Sequence, residues 1–186
     1  RVRGKRRGDA IRIWSVPCST GEEPYSIAMW LLENWAQVDA YDIEIVGSDI
    51  DTRVLEAAAA GVFSKRALMR LNPDLIARYF TALDDAQWRI LDALRGSVRF
   101  SPVNLVETAE TRAHGLFDVI FCRNVLIYFD DASRRVAAEN LYETLAPGGF
   151  ICLGHTESMG RISPLFEVRR FADAIVYQKP AAGARG

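Results

Sequence analysis

Two adjacent carboxylates, Glu22 and Glu23, follow a Ser19-Thr20-Gly21 turn that interrupts an apolar, β-prone run ending at Val16-Pro17. A helix reopens directly behind them, so both acids stand at the positive end of its dipole, which favours their ionised form. Phosphate-binding versions of a strand-loop-helix turn use several glycines, whose bare amides point at the anion. Gly21 is the one glycine between Arg12 and Ser26, and a pyrophosphate beside the two acids would be repelled. The turn therefore suits a nucleoside that is positively charged and free of phosphate; S-adenosylmethionine, with its ammonium and sulfonium groups, is such a ligand. A plainer reading stands beside this one. Ser19 and Thr20 each precede a glutamate by three residues, the spacing of two overlapping capping boxes, and the acids could simply cap the helix.

Further polar residues fall at the ends of apolar runs. Asp49 closes Ile43-Glu-Ile-Val-Gly-Ser, the position at which nucleoside-binding folds of this kind place an acid on the ribose, about 20 residues beyond the first loop. Asp51 is the competing acid there, or the cap of the next helix. Asn104-Leu105 follows Val98-Arg-Phe-Ser; Arg123-Asn124 follows Val119-Ile-Phe-Cys, with Tyr128 four residues on; His155 and Glu157 follow Phe150-Ile-Cys-Leu-Gly. A doubly wound sheet gathers the carboxyl ends of its strands along one edge, where the ligand crevice forms. Tyr128 could equally be a core aromatic beside Phe129. His155 is the candidate base for a hydroxyl or amine substrate, and otherwise a structural hydrogen-bonding group. His114 reads as a loop residue without a site role.

The elements that must hold these residues alternate strand and helix. Ile27, Leu31, Trp35 and Val38 recur at helical spacing, with Pro24 in the first turn. Thr52 to Ala60 reads as a helix closed by Gly61. Ser64 to Arg95 suggests one or two short helices, the second opened by Pro73; Trp88, Ile90 and Leu91 fit strand or helix. A helix from about Ala132 to Leu145 has Val136, Leu141 and Leu145 as core positions, then Pro147-Gly148-Gly149 marks a sharp turn. Phe166 to Arg169 and Ala174 to Lys179 read as a closing antiparallel hairpin. We expect a basic linker over 1–10 (Arg1, Arg3, Lys5, Arg6, Arg7), an α/β domain over 11–180 with an inserted subdomain at 64–97, and a disordered tail over 181–186. The chain begins at Arg, which reads as a fragment whose N-terminal portion is missing.

The 186 residues carry a formal net charge of −1, so no global field recruits nucleic acid or an anionic membrane. Cys18, Cys122 and Cys152 lack zinc-like spacing and lie in or beside apolar runs, as reduced buried thiols do. No apolar run reaches membrane-spanning length and no signal-peptide pattern occurs. A cytoplasmic protein without metal is expected.

The stretches Trp14-Ser-x-x-Cys-Ser-Thr-Gly-Glu-Glu-Pro-Tyr-Ser26, Ser48-Asp-Ile-Asp-Thr52, Arg78-Tyr-Phe80, Asn104-Leu105 and Phe117-Asp-x-Ile-Phe-Cys-Arg-Asn-Val-Leu-Ile-Tyr-Phe-Asp130 together resemble CheR-type chemoreceptor methyltransferases, from about Ile11 to Lys179. The resemblance implies a class I, Rossmann-like methyltransferase fold: a mostly parallel seven-stranded sheet with an antiparallel C-terminal edge hairpin. It implies methyl transfer from S-adenosylmethionine to glutamate side chains in the cytoplasmic region of methyl-accepting chemoreceptors, giving methyl esters and S-adenosylhomocysteine. Carried over, Ser15, Glu23 and Asp49 would bind the cofactor, Asn104 and Leu105 would flank its adenine, and Cys122, Arg123 and Asn124 would line its methionine end. Tyr128 would lie beside the transferring methyl. From the chemistry of the reaction we expect Tyr128 to position the substrate carboxylate and Arg123 to offset its charge, as the catalytic pair.

Three departures from the family pattern stand out. Pro17 replaces a small residue under the cofactor, the N-terminal helical domain and its Phe-Phe-Arg linker do not fall within these residues, and no glycine-rich loop follows Tyr79-Phe80. The last implies independence from a tethering receptor pentapeptide, and a monomer is expected. The competing classes are a catalytically weak S-adenosylmethionine-binding regulatory or adaptor-binding module and, third, a nucleic-acid methyltransferase, which the near-neutral charge disfavours.

Overall fold

The computed structural model describes residues 4–181; Arg1 and Arg3 of the expected linker, and 182–186 of the expected tail, lie outside the described residues. Strands β1 (Ala10–Ser15) and β2 (Asp42–Asp49) flank helix α1 (Glu22–Asn34), and α2 (Thr52–Ala60) follows. A small unit comes next: β3 (Val62–Ser64), α3 (Lys65–Leu68), α4 (Pro73–Tyr79), β4 (Phe80–Ala82), β5 (Gln87–Ile90) and α5 (Asp92–Arg95). Then come β6 (Val98–Pro102), α6 (Thr108–Ala113), β7 (Phe117–Cys122), α7 (Asp131–Glu143), β8 (Leu145–Leu153), β9 (Glu167–Arg170) and β10 (Ile175–Gln178).

Seven strands form one sheet in the order β6-β2-β1-β7-β8-β10-β9. β6, β2, β1, β7 and β8 run parallel, while β10 is antiparallel to both neighbours. The chain leaves β1 toward β2 and β6 on one side and returns to β7 on the other, which makes the β1–β7 boundary the switch point. Ile13 there pairs with Ile45 on one flank and Val119 on the other.

The central strands are apolar on both sides because both sides are covered. On one face Trp14, Phe117 and Ile120 pack with Ala137, Ala138 and Leu141 of α7. The Trp14 ring stacks on Phe117 at 4.8 Å and on His114 at 5.1 Å, and its Nε1 donates to Ser48 Oγ at 2.9 Å. On the other face Ile11, Ile13 and Ile45 meet Tyr25, Ala28 and Met29 of α1 and the apolar side of the small unit. There β3, β5 and β4 form a three-stranded antiparallel sheet, so Trp88 and Ile90 lie on a strand.

The structure corrects several local readings. The core stripe of α1 is Tyr25-Ala28-Met29, with Ile27 and Leu31 only partly buried; the helix ends at Asn34, leaving Trp35 to stack on Tyr41 at 5.4 Å. In α7 the buried positions are Ala137, Ala138, Asn140 and Leu141; Val136 is exposed, and Leu145, itself buried, already belongs to β8. Pro147-Gly148-Gly149 does not end a strand. Phe117 pairs with Leu145 and Val119 with Phe150, so residues 146–149 bulge out of β8 while its ladder resumes beyond them. Lys5, read as part of a basic linker, donates to the Ala10 carbonyl at 2.6 Å and lies 3.0 Å from Asp118, at the amino end of β7.

Candidate functional site

The parallel order brings the ends of β1, β2, β6, β7 and β8 to one edge, and the polar residues sort along it. At the switch point Glu23 bridges two strands. One carboxylate oxygen accepts from Ser15 Oγ at 2.8 Å, and the other lies 3.1 Å from Arg123 Nη1. Ser15 is fully buried, Glu23 half-buried and Arg123 exposed, so the carboxylate is partly open to solvent at this edge of the sheet.

How Glu23 arrives there differs from a capping box. The helix is preceded by Gly21 in the left-handed region (φ 92°), and no side chain caps it. Thr20 Oγ1 meets the Glu22 carboxylate at 2.7 Å, while Glu23 turns inward to Ser15. Gly21 also permits a close approach: a Cβ would stand 3.0 Å from Ala58 Cβ and 3.1 Å from the Tyr25 ring. That contact locks the loop to α2, and Tyr25 Oη donates to the Ala58 carbonyl at 2.9 Å.

Asp49, half-buried at the tip of β2, accepts from Ser19 N at 2.9 Å and Asp51 N at 3.1 Å, one bond on each oxygen. The Ser19 amide that a phosphate would need is thus already satisfied by a carboxylate. Each Asp49 oxygen keeps a lone pair for a hydroxyl donor. Asp51 is the N-cap of α2: it accepts from Arg53 N at 2.9 Å and pairs with the Arg53 guanidinium, which holds its carboxyl below the usual range.

Beyond β6, Asn104 Oδ1 accepts from Val106 N at 3.2 Å and its own amide donates to Glu110 at 2.7 Å. Leu105 is buried in the core, and its carbonyl accepts from Asn140 Nδ2 at 2.9 Å. Cys122 is also fully buried at the end of β7. Burial pushes its thiol far up; it pushes Cys18 up to about 12, with Asp49 adding to the effect, and Cys152 to about 11. All three are neutral thiols at physiological pH and none is a thiolate nucleophile.

The loop after β7 carries Asn124, in the left-handed region at φ 59°, and then a single 3-10 turn, Leu126–Tyr128. Leu126 plugs the core, whereas Tyr128 is 80% exposed. The structure therefore brings Ser15, Glu23 and Arg123 into direct contact, ties Asp49 to the Ser19 turn, and sets Tyr128 apart in solvent. His155 is exposed in the turn after β8; His114, read as a loop residue, stacks on Trp14 at the amino end of β7.

Sequence reasoning singled out Glu157 without finding its partners. Its carboxylate accepts four backbone amides: Asn124 at 2.7 Å, Val125 at 3.0 Å, Leu126 at 2.8 Å and Gly154 at 2.9 Å. Arg134 of α7, not singled out at all, donates to the carbonyls of Leu126 and Phe129 from the opposite side. Both sets of contacts join distant or irregular segments, and no spacing in the sequence announces them.

A sheet of this order, with acids in place of a phosphate cradle at its switch point, has the architecture of class I methyltransferases. The structures of DszA carbon methyltransferase (TM-score 0.51, 20% identity, 82% of this chain and 30% of that one) and of TrmN from Thermus thermophilus (TM-score 0.51, 15% identity, 95% and 45%) share the fold. Residues 1–175 match the family described as CheR methyltransferase, SAM binding domain, and the chain belongs to that family. S-adenosylmethionine is accordingly the cofactor of this domain. Chemotaxis protein methyltransferase 2 of Vibrio cholerae is 52% identical over 96% of the chain, and the Escherichia coli K12 chemotaxis protein methyltransferase is 38% identical over 89%. The chain spans 62% and 58% of these two relatives, respectively.

Proposed function

We infer that the protein containing this domain transfers a methyl group from S-adenosylmethionine to glutamate side chains of methyl-accepting chemoreceptors; its relatives are named chemotaxis protein methyltransferases. The observation that carries the reading is the carboxylate lining of the crevice: Glu23 held between Ser15 and Arg123, and Asp49 filling the Ser19 amide. That donor set fits a cationic nucleoside. Glu23 takes the ammonium, Asp49 the ribose hydroxyls, and Asn104-Leu105 the adenine edge, while Cys122, Arg123 and Asn124 border the methionine end.

When bound, S-adenosylmethionine supplies an electrophilic methyl on a sulfonium centre. A glutamate side chain, with a reference pKa near about 4.3, is already ionised at neutral pH and needs no general base. Tyr128, standing free on its turn, orients the incoming carboxylate, and Arg123 offsets the charge of that carboxylate beside Glu23. Positioning and electrostatics carry the catalysis. The β4–β5 connection supports receptor recognition without a peptide tether: residues 83–86 form a tight turn closed by Asp84 Oδ1, which accepts from Ala86 N at 2.7 Å and Gln87 N at 2.8 Å.

The test is calorimetry with S-adenosylmethionine, then transfer of labelled methyl by the full-length protein to a receptor cytoplasmic fragment. A carboxyl methyl ester releases volatile methanol in base; base-stable label, or binding without transfer, contradicts the reading.

A further inference from the structure

We propose that Glu157 is a positioning residue whose carboxylate sets the shape of the 124–128 loop, presenting Asn124 to the cofactor and Tyr128 to the reacting carboxylate. The proposal rests on the methyltransferase reading above. Its own basis is geometric. Three consecutive amides, Asn124, Val125 and Leu126, converge on one side chain with donor-acceptor distances of 2.7–3.0 Å, and Gly154 N adds a fourth at 2.9 Å. Three successive amides aim at one point only when the backbone curls around it. Here the curl needs Asn124 at φ 59°, a sparsely populated conformation for a residue with a Cβ. The carboxylate holds that conformation by satisfying donors the loop cannot satisfy internally.

The surroundings are built around this contact. Gly154 is without a Cβ where one would stand 2.3 Å from Asn124 Oδ1 and 2.8 Å from Glu157 Oε2. A Cβ at 154 would crowd the Glu157 carboxylate and the Asn124 side chain, and would stand 3.1 Å from the Asn124 amide. From below, Arg134 holds the Leu126 and Phe129 carbonyls, and Leu126 anchors in the core. The exposed Tyr128 thus stands on a turn fixed at both ends, and Glu157 fixes the end nearer the cofactor. Only a carboxylate serves: it accepts on both oxygens and carries no proton, whereas an amide turns an NH2 toward amides that already donate.

Glu157→Gln in the full-length protein tests this. The cofactor remains held from the β1 and β2 side by Glu23 and Asp49, so its dissociation constant should rise less than about fivefold. Misplacing the reacting groups by about 1 Å typically lowers turnover about 100-fold, and we expect kcat on a receptor fragment to fall by roughly 30- to 100-fold. Hydrogen exchange at the amides of 124–126 should accelerate while the β1 and β7 ladders stay protected. Glu157→Asp, one methylene shorter, gives an intermediate loss and serves as the second variant if the amide variant does not fold. Accelerated loop exchange with kcat within twofold of wild type overturns the positioning role; unchanged exchange at 124–126 overturns the clamp itself. A wild type that binds cofactor but transfers no methyl overturns the methyltransferase reading, and the clamp is then judged on exchange alone.

Discussion

Replacing Glu23 by glutamine separates a ligand-binding acid from a helix-mouth acid. The change is isosteric, so Ser15 Oγ, now 2.8 Å from the carboxylate, keeps a hydrogen-bonding partner. The substitution breaks the ion pair to Arg123 at 3.1 Å, in which the Arg123 and Glu23 side chains are 41% and 23% exposed. Pairs this open contribute at most about 1 kcal/mol, so the fold should lose little. A ligand ammonium at the same carboxylate loses a charge-assisted hydrogen bond, worth about 1.5–3 kcal/mol. The partial exposure of Glu23 places it at the low end, about 1.5–2 kcal/mol, or roughly a 10- to 30-fold weaker Kd for S-adenosylmethionine. Arg123, released from its partner, adds repulsion in the same direction. Adenosine, which lacks both positive charges, should bind the variant and the wild type within about twofold. Isothermal calorimetry with the two ligands, beside a thermal melt, reads all three quantities. An unchanged Kd for S-adenosylmethionine, or equal losses for both ligands, would show that Glu23 serves only to bridge Ser15 and Arg123.

Tyr128→Phe should leave the melting temperature and cofactor Kd unchanged, because the side chain is 80% exposed, and should lower turnover on a receptor fragment; unaltered turnover removes the hydroxyl from the reaction. Gly21→Ala forces φ 92° on a residue with a Cβ and drives that Cβ to 3.0 Å from Ala58, so denaturant titration should show a loss of about 1–3 kcal/mol; a loss below about 0.5 kcal/mol refutes the packing argument. Cys18 is raised from 9.0 to about 12, Cys152 from 9.0 to about 11, and Tyr25 from 10.0 to about 12, in each case chiefly by burial. The folded state therefore retains protons the unfolded chain gives up, so stability is full below pH 9 and declines as pH rises through 12. Denaturant midpoints across that range check the sign, and a midpoint that rises above pH 9 contradicts it.

Much of this site was readable in sequence because the sheet does the gathering. Once apolar runs ending in Asp49, Asn104 and Arg123 are taken as parallel strands, their ends must share an edge. Helix α2 was equally plain, since Asp51 and Gly61 supply both caps locally. What escaped depends on conformation or on distant partners. Ser19 and Thr20 have capping-box spacing, but the left-handed Gly21 redirects Glu23 to Ser15 and leaves Thr20 to Glu22. Pro147-Gly148-Gly149 is a turn signal inside a strand, because pairing with β7 resumes after the bulge. Trp88 and Ile90 become a strand only through neighbours β3 and β4, which are three residues long and too short to announce themselves.

On the proposed function, an acidic substrate must enter beside two acids, and the same geometry offers an account of it. Glu23 and Asp49 both stand at the carboxyl edge of the sheet, and a third carboxylate approaching them meets like charge. The acids differ, however, in what already satisfies them. Asp49 is answered by two backbone amides, and Glu23 by a hydroxyl on one oxygen and a guanidinium on the other. Arg123 is thus the exposed countercharge of the pair, held to Glu23 by one contact, at the end of the strand whose following loop carries Tyr128. In the proposed reading, a cofactor bringing its own positive charge to Glu23 would compete for that contact and leave the guanidinium to the incoming glutamate. The proposed arrangement would couple the two ligands through one arginine, with no titrating base required, and the neutral thiols of Cys18, Cys122 and Cys152 supply no competing nucleophile.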